Sequence, residues 1–358
     1  MLDLMRFASA VVVFLYHFHF QLPGYQAVMI FFVLSGYFIS TSVIKTLDKG
    51  VWSWREYLIK RCIRLWIVLI PALILTYGWA LLQTHLFGRT SLFSGVLNVK
   101  TFIGNLFFTQ DILVVQYGLN GPLWSLTYEF WYYILFPCGL LIFYSKSKLS
   151  RGVYLTIFVA ISLFVGKQIM LYFIMWLLGA GIAVIKPSKI KSWFINHFIL
   201  LILLATAVGS TKGLYSFYDK QFNWMNPYFI PDLSVSIAFS LLIYWIISIY
   251  GSVIANKKLI FNKKLAGFSY TLYLVHYPLL YFWNAWTTSS LWKFNNNYTL
   301  LVKVIYLLAI VIYAYVLAHL TEFKTSDFTT KVLTFSKKLF VQKAYRKRTV
   351  LLKRGLFK

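Results

Sequence analysis

The opening stretch MLDLMRFASAVVVFLYHFHFQLPGYQ, residues 1–26, puts Asp3 and Arg6 at one end of an apolar run and His17 deep inside it. An ionisable side chain in hydrocarbon is costly, and it persists where something needs it. Arg6 and His17 are eleven residues apart. At about 100° per residue that is roughly three turns plus 20°, so they share one helix face about 16 Å apart along the axis. They cannot touch; they look like two ends of one lined path, with Arg6 near a membrane surface and His17 near the midplane. His19 points the other way. No small-residue cleavage site precedes Gln21, so the run reads as a retained first span and not as a signal peptide.

The rest of the chain agrees with a membrane setting. Of its 358 residues 60% are hydrophobic and only 12% charged, about half the usual charged share of a soluble domain. A soluble protein this apolar could not cover its surface. A window of roughly 20 apolar residues gives about ten transmembrane helices, near 4–22, 27–44, 62–85, 121–143, 152–166, 168–185, 192–210, 233–255, 265–286 and 299–321. The expectation is an all-α, polytopic integral membrane protein with both termini on one side. The 35 Lys and Arg against nine Asp and Glu supply the orientation. With the termini inside, the inner segments hold 28 basic residues and the outer loops six: Arg89, Lys100, Lys167, Lys212, Lys220 and Lys293. Basic residues gather in cytoplasmic loops, so both ends are cytoplasmic. The net charge of +26 is then topology and not a sign of nucleic acid. The chain divides into a transmembrane domain, 1–322, and a basic cytoplasmic tail, 323–358, that lies on anionic membrane lipids.

Cys62 and Cys138 are the two cysteines, one at a helix end and one inside a span, so no disulfide is expected. No His and Cys cluster has metal-ligand spacing. Two outward segments, about Phe87–Asn120 and Ser210–Asp232, are long, and long loops in a compact fold tend to be functional.

Several polar residues reach similar depth. Ser35 and Glu129 each lie eight residues, or about 12 Å, inside a span, and His276 lies eleven residues inside another. Ser269, Tyr273 and His276 share a face, with Pro278 able to kink the helix nearby. Four helices would thus bring His17, Ser35, Glu129 and His276 to one level, and Glu129 is read as the one acidic residue deep in a span. An intramembrane Ser is usually satisfied by its own helix backbone, whereas a buried carboxylate needs a reason. His85, His197 and His319 fall near span ends. In REYLIKRCIRLW, residues 55–66, Arg61 and Arg64 sit one turn apart. Their plain reading is positive-inside anchoring; the functional one is a phosphate clamp, which forked guanidinium groups suit.

Five stretches carry a resemblance to the membrane acyltransferase-3 family. LDLMRFASAVVVFLYH resembles its first helix, Arg, ten residues, then His; FFVLSGYFI its second-helix signature; YLIKRCIRLW its Arg-x-x-Arg segment. NGPLWSLTYEFWYYILFP is similar to its Trp-Ser-Leu-x-x-Glu helix, and SYTLYLVHYP to its late Tyr-Leu-x-His-x-Pro stretch. The matches run in order from residue 2 to 278. The resemblance implies transfer of an acyl group, usually acetyl, from cytoplasmic acetyl-CoA to a hydroxyl of a glycan in the cell envelope, such as O-antigen or exopolysaccharide. By position it implies His17 as catalytic base with Arg6 as its motif partner, Arg61 and Arg64 on the CoA phosphates, and Glu129 and Trp124 on the active-site helix. Ser35, Tyr273 and His276 join them as residues lining the acceptor. Many bacterial members add a soluble domain after the core, which is not present in residues 323–358.

The mechanism read from these residues has CoA docked on the inner arginines, with its pantetheine arm reaching toward His17. His17 would take the acceptor proton, with Glu129 orienting the imidazole as the acid does in a Ser-His-Asp triad. A ping-pong route through acyl-His17 is the alternative. No permanently bound cofactor is expected; acyl-CoA is the donor substrate, a surface or lipid-linked glycan the acceptor, and the inner membrane the location. Nothing in the sequence speaks to oligomeric state or to the acceptor sugar. Two other classes fit the sequence less well. A proton-coupled transporter or flippase would carry inverted repeats with broken helices, and no such symmetry is visible. A glycan polymerase would carry paired basic residues in a large outward loop, whereas the longest here holds only Arg89 and Lys100.

Overall fold

The first apolar run folds as helix α1, Leu2–His17. It ends five residues before the expected limit, because His19 takes a left-handed backbone (φ 65°) and Pro23 follows, neither of which continues a helix. This computed structural model describes residues 1–88, 90–188, 190, 192–213, 228–250 and 267–338. Arg89, Lys189, Lys191, Lys220, the basic run Lys257–Lys264, most of the second outward segment and the tail from 339 onward lie outside the described residues.

Among the described residues there follow α2 (Gly24–Asp48), α3 (Trp54–Phe87), the short α4 (Val99–Leu106), α5 (Trp124–Tyr144), α6 (Lys148–Val184), α7 (Trp193–Gly213), α8 (Phe229–Tyr250), α9 (Ser269–Thr287) and α10 (Asn296–Leu320). Among the described residues there is no strand, only an isolated bridge between Gln110 and Val114. The protein is an all-α polytopic membrane protein. Among the described residues seven helices are long and apolar enough to cross a membrane.

Helix α6 is two helices in one run. Gly166 breaks it with φ 80° and ψ 174°, a backbone that glycine alone adopts freely. Before the break, Phe158 lies by Gly139 and Phe164 by Trp131, so the chain runs antiparallel to α5. After it, Tyr172 packs on Tyr128 and Trp176 on Phe136, so the chain runs parallel to α5. The two expected spans 152–166 and 168–185 are therefore the arms of one hairpin.

Many of the described basic residues lie near one end of the bundle, at the junctions of α2 with α3 and of α5 with α6. There Asp48 at the end of α2 accepts a hydrogen bond from Tyr144 at the end of α5 (3.1 Å), and Trp54 at the start of α3 donates to Tyr154 of α6 (3.2 Å). A helix over 325–338 folds back to this end, where Lys337 pairs with Glu56 (3.0 Å) and Arg55 donates to Ser336. Helix α3 is capped by Ser53 and starts eight residues before its expected limit, so Arg61 and Arg64 lie two to three turns inside it.

The first outward segment turns back into the bundle. Leu106, at the end of α4, accepts from the indole of Trp66, and Phe108 accepts from that of Trp131 (both 2.9 Å). Phe108 and Gln110 are fully buried, and Gln110 donates to the carbonyl of Leu123 (2.7 Å). Irregular backbone at membrane depth is tolerated where protein covers it, as it does here.

Two prolines open carbonyls that other elements fill. Pro137 lacks the N–H that would bond Tyr133, and Tyr57 donates to that carbonyl instead (2.8 Å). Pro278 likewise frees the carbonyl of Leu274, which accepts from Asn120 (2.9 Å).

The tightest helix contact is between α2 and the second arm of α6. A Cβ on Gly36 would lie 2.0 Å from the carbonyl oxygen of Trp176, and one on Gly179 would lie 1.9 Å from that of Val33. Small residues are what let membrane helices approach this closely. Gly36→Ala must push the helices apart and should cost about 1–3 kcal/mol. That loss would appear as a lower melting temperature in detergent. Gly78→Ala, whose new Cβ meets nothing within 4 Å, should melt at or above wild type; equal melting of both variants would disprove the contact.

Candidate active site

Five helices enclose a cavity lined by Arg6 of α1, Phe31, Phe32 and Ser35 of α2, Arg64 of α3, Ser125 and Glu129 of α5, and Ser269, Tyr270 and Tyr273 of α9. It measures about 60 Å³, room for about four waters. Ser35 donates to Oε1 of Glu129 (2.9 Å), and Tyr133, one turn further along α5, donates to the same oxygen. Ser35 is thus tied to a carboxylate and not to its own helix backbone.

Arg6 and Arg64 face Glu129 electrostatically, yet no carboxylate comes within ion-pair distance of either among the described residues. Neither makes a side-chain hydrogen bond to a described residue. Arg6 lies over the ring of Phe38 (5.1 Å). Arg61, one turn before Arg64, does not line the cavity; it lies over the rings of Tyr57 and Tyr133 (5.3 and 5.8 Å), and its buried Nε has no hydrogen-bond partner. Guanidinium donors left unmet in a protein interior are unusual, and a multivalent anion is what they match.

A second constellation lies further from the basic end. Nδ1 of His17 is 2.8 Å from Nε2 of His276, the rings stack at 5.1 Å, and Tyr277 stands edge-on to His17 (4.8 Å). His276 is fully buried. Along α9 it is seven residues, about 10 Å, beyond Ser269. The expected single level for His17, Ser35, Glu129 and His276 is therefore corrected. They form two pairs, because α1 ends at His17 while Ser35 sits midway along α2. Glu129 does not orient His17 in this arrangement; His276 occupies that position. Tyr273 stands between the pairs, hydrogen-bonded to Ser125 (2.8 Å) with its ring centroid 6.4 Å from His276. Trp124 does not line the cavity; it stacks on Tyr25 (5.7 Å, 15°). Tyr25 borders an open pocket of about 490 Å³ with Tyr16, Gln21, Gln26 and Tyr228.

Two acidic residues were missed or misread from the sequence. Asp232 is fully buried in the first turn of α8 and accepts from Tyr172 (2.6 Å), so Glu129 is not the one acidic residue inside. The helix begins at Phe229, four residues before the hydropathy limit. Glu322, read as a mere boundary, accepts from the backbone N–H and hydroxyl of Thr271 (both 2.9 Å) in the first turn of α9 and acts on Arg64 and Arg6. Its sequence signal is faint: a lone acid between an apolar span and a basic tail.

Residues 1–323 match the acyltransferase-3 family, described as an acyltransferase domain. The chain belongs to that family. It is a membrane acyltransferase. It is also similar to the O-acetyl transferase of Shigella phage Sf6, 30% identical over 242 residues, 61% of this chain and 67% of that protein. No solved structure matches.

Removing Glu129 would take from two buried guanidinium groups the carboxylate that faces both across the cavity. Glu129→Ala should therefore cost about 3–5 kcal/mol, whereas Ser35→Ala should cost about 1–3 kcal/mol for one unmet bond. Denaturant unfolding in mixed micelles checks this, and a Ser35 loss equal to that of Glu129 would refute it.

Proposed function

We propose that this acyltransferase moves an acyl group, acetyl in the first instance, from cytoplasmic acetyl-CoA to a hydroxyl of a surface or lipid-linked polysaccharide. In this reading a core of about ten spans, 1–322, sits in the inner membrane with both ends cytoplasmic, and the tail 323–358 rests on the inner leaflet. The observation that carries it is the pair Arg6 and Arg64, with no ion pair to a described residue, facing Glu129 in a cavity between the basic end and the His17–His276 pair.

CoA fits that end chemically. Its phosphates are multivalent anions, and Arg61 and Arg64 lie on one helix that rises from the basic surface. The pantetheine arm spans about the axial distance from Arg6 to His17. A cavity of about 60 Å³ does not hold that arm, so loading requires Phe31 and Tyr273 to swing aside. The acceptor would enter from the opposite side, through the pocket between Tyr16, Gln21, Tyr25 and Gln26, where the Tyr25–Trp124 stack offers an aromatic wall for a sugar. The name of the phage relative supports acetyl as the group and oxygen as the acceptor atom.

The chemistry is acyl transfer with general-base help. His17 takes the acceptor's hydroxyl proton as the oxygen attacks the thioester carbonyl. The tetrahedral intermediate then expels the CoA sulfur as the C–S bond breaks. The imidazolium returns the proton to that thiolate, leaving an ester and free CoA. Glu129 balances the arginines and, through Ser35, fixes the wall of the donor cavity.

The test supplies radiolabelled acetyl-CoA and crude cell-envelope glycan to the purified protein. Wild type should label the glycan, mild alkali should release the label as from an O-ester, and His17→Ala should label none. Equal labelling by both proteins would reject His17 as base. Failure of acetyl-CoA to protect the protein thermally would reject the donor. Arg64→Ala should raise the KM for acetyl-CoA about 10- to 100-fold, the value of one or two charged hydrogen bonds. An unchanged KM would remove Arg64 from the donor site.

A further inference from the structure

We propose that His276 is a positioning residue that fixes the tautomer of His17 and so makes Nε2 of His17 the base. The inference rests on His17 being the base and goes further by naming the atom. It follows from where protons can sit. Nδ1 of His276 is 2.9 Å from the carbonyl oxygen of Leu272, and a carbonyl only accepts. Nδ1 of His276 therefore carries the hydrogen. A neutral imidazole has one N–H, so Nε2 of His276 is an acceptor. That nitrogen lies 2.8 Å from Nδ1 of His17, which must then carry the hydrogen and donate it. Neutral His17 is left with its lone pair on Nε2.

The surroundings hold this geometry. Phe14 stands edge-on to His276 (5.8 Å), Tyr277 edge-on to His17 (4.8 Å), and the two imidazoles stack at 20°. The titratable rings facing the pair are Tyr16 and Tyr277 around His17, and Tyr273 and Tyr277 around His276. None is a carboxylate, so a neutral imidazole takes the place that an acid holds in a Ser-His-Asp triad. When Nε2 of His17 gains the acceptor's proton, the Nδ1–H bond to His276 becomes charge-assisted and strengthens. His276 can do this while touching no substrate. The Leu272 carbonyl belongs to the preceding turn of α9, so the helix itself sets the orientation of the dyad.

The experiment uses the full chain, labelled with [¹⁵N]histidine and held in lipid nanodiscs, with the His17 signals assigned by their loss in His17→Ala. At neutral pH the spectra should show His17 and His276 both protonated on Nδ1, whereas a free histidine side chain favours Nε2–H. Protonation of neutral His17 on Nε2 would overturn the proposal without any variant. His276→Gln, whose side-chain oxygen can accept from Nδ1, should keep the tautomer and transfer acetyl within about threefold of wild type. His276→Leu should lose the tautomer and lower kcat about 10- to 100-fold, within the range of general-base effects, with the KM for acetyl-CoA unchanged. Equal losses in the two variants, or a change confined to KM, would overturn it. Transfer retained by His17→Ala would remove the base itself, whereas Nε2–H spectra with transfer lost in His17→Ala would sink this inference alone.

Discussion

Holding Arg6, Arg64 and Glu129 away from bulk water costs several kcal/mol per ion, and the arrangement of the bundle answers to that cost. The three groups come from three helices and face one small cavity instead of forming a direct ion pair. Aromatic rings make up much of the remaining wall, with Phe31, Phe32, Tyr270 and Tyr273, and others back the arginines outside it, Phe38 at Arg6 and Tyr57 and Tyr133 at Arg61. A ring face attracts a guanidinium without competing for its hydrogen bonds. The donors therefore remain available, which a fully paired salt bridge would not allow. Glu322 adds a second negative charge beneath the cluster while serving as an acceptor for the first turn of α9.

Packing and chemistry meet on helix α2. Ser35 and Gly36 are neighbours, so they point about 100° apart. Ser35 turns to Glu129 of α5, and Gly36 lies against the backbone of α6 at Trp176. The close approach at Gly36 and Gly179 sets how α2 stands between two neighbours, and with it the reach of Ser35. The stretch LSGY thus carries a packing residue and a site residue in adjacent positions.

The sequence made the membrane setting, the helical class and most helices legible, because each rests on a local property: apolar length, turn residues, basic loops. The bend at Gly166 falls where the expected spans 152–166 and 168–185 meet. Site membership was partly legible too, since depth in a span follows from counting residues. Partners were not. Counting from predicted ends put four residues at one depth. The true ends of α1 and α2 shift His17 and Ser35 apart, and rotation about each axis then decides who meets whom. Asp232 and Glu322 were hidden for a related reason, since hydropathy windows stop at charged residues and so exclude the acids that the fold buries at helix ends. The return of residues 99–123 into the bundle depends on indole and amide contacts between distant segments, which no local pattern carries.

Tyr273 gives the arrangement its functional logic. In the proposed reaction an acyl group passes from a donor on the basic side to an acceptor on the other, so the two sites must communicate. A standing water-filled path between them would leak protons and expose the thioester to hydrolysis. Tyr273, hydrogen-bonded to Ser125 (2.8 Å), stands between the arginine cavity and His276. Because Tyr273 is three residues from His276 on the same helix, a swing of its ring to admit the proposed donor arm would occur beside His17, the proposed base. Opening the path and presenting the base are then coupled through the geometry of a single helical turn.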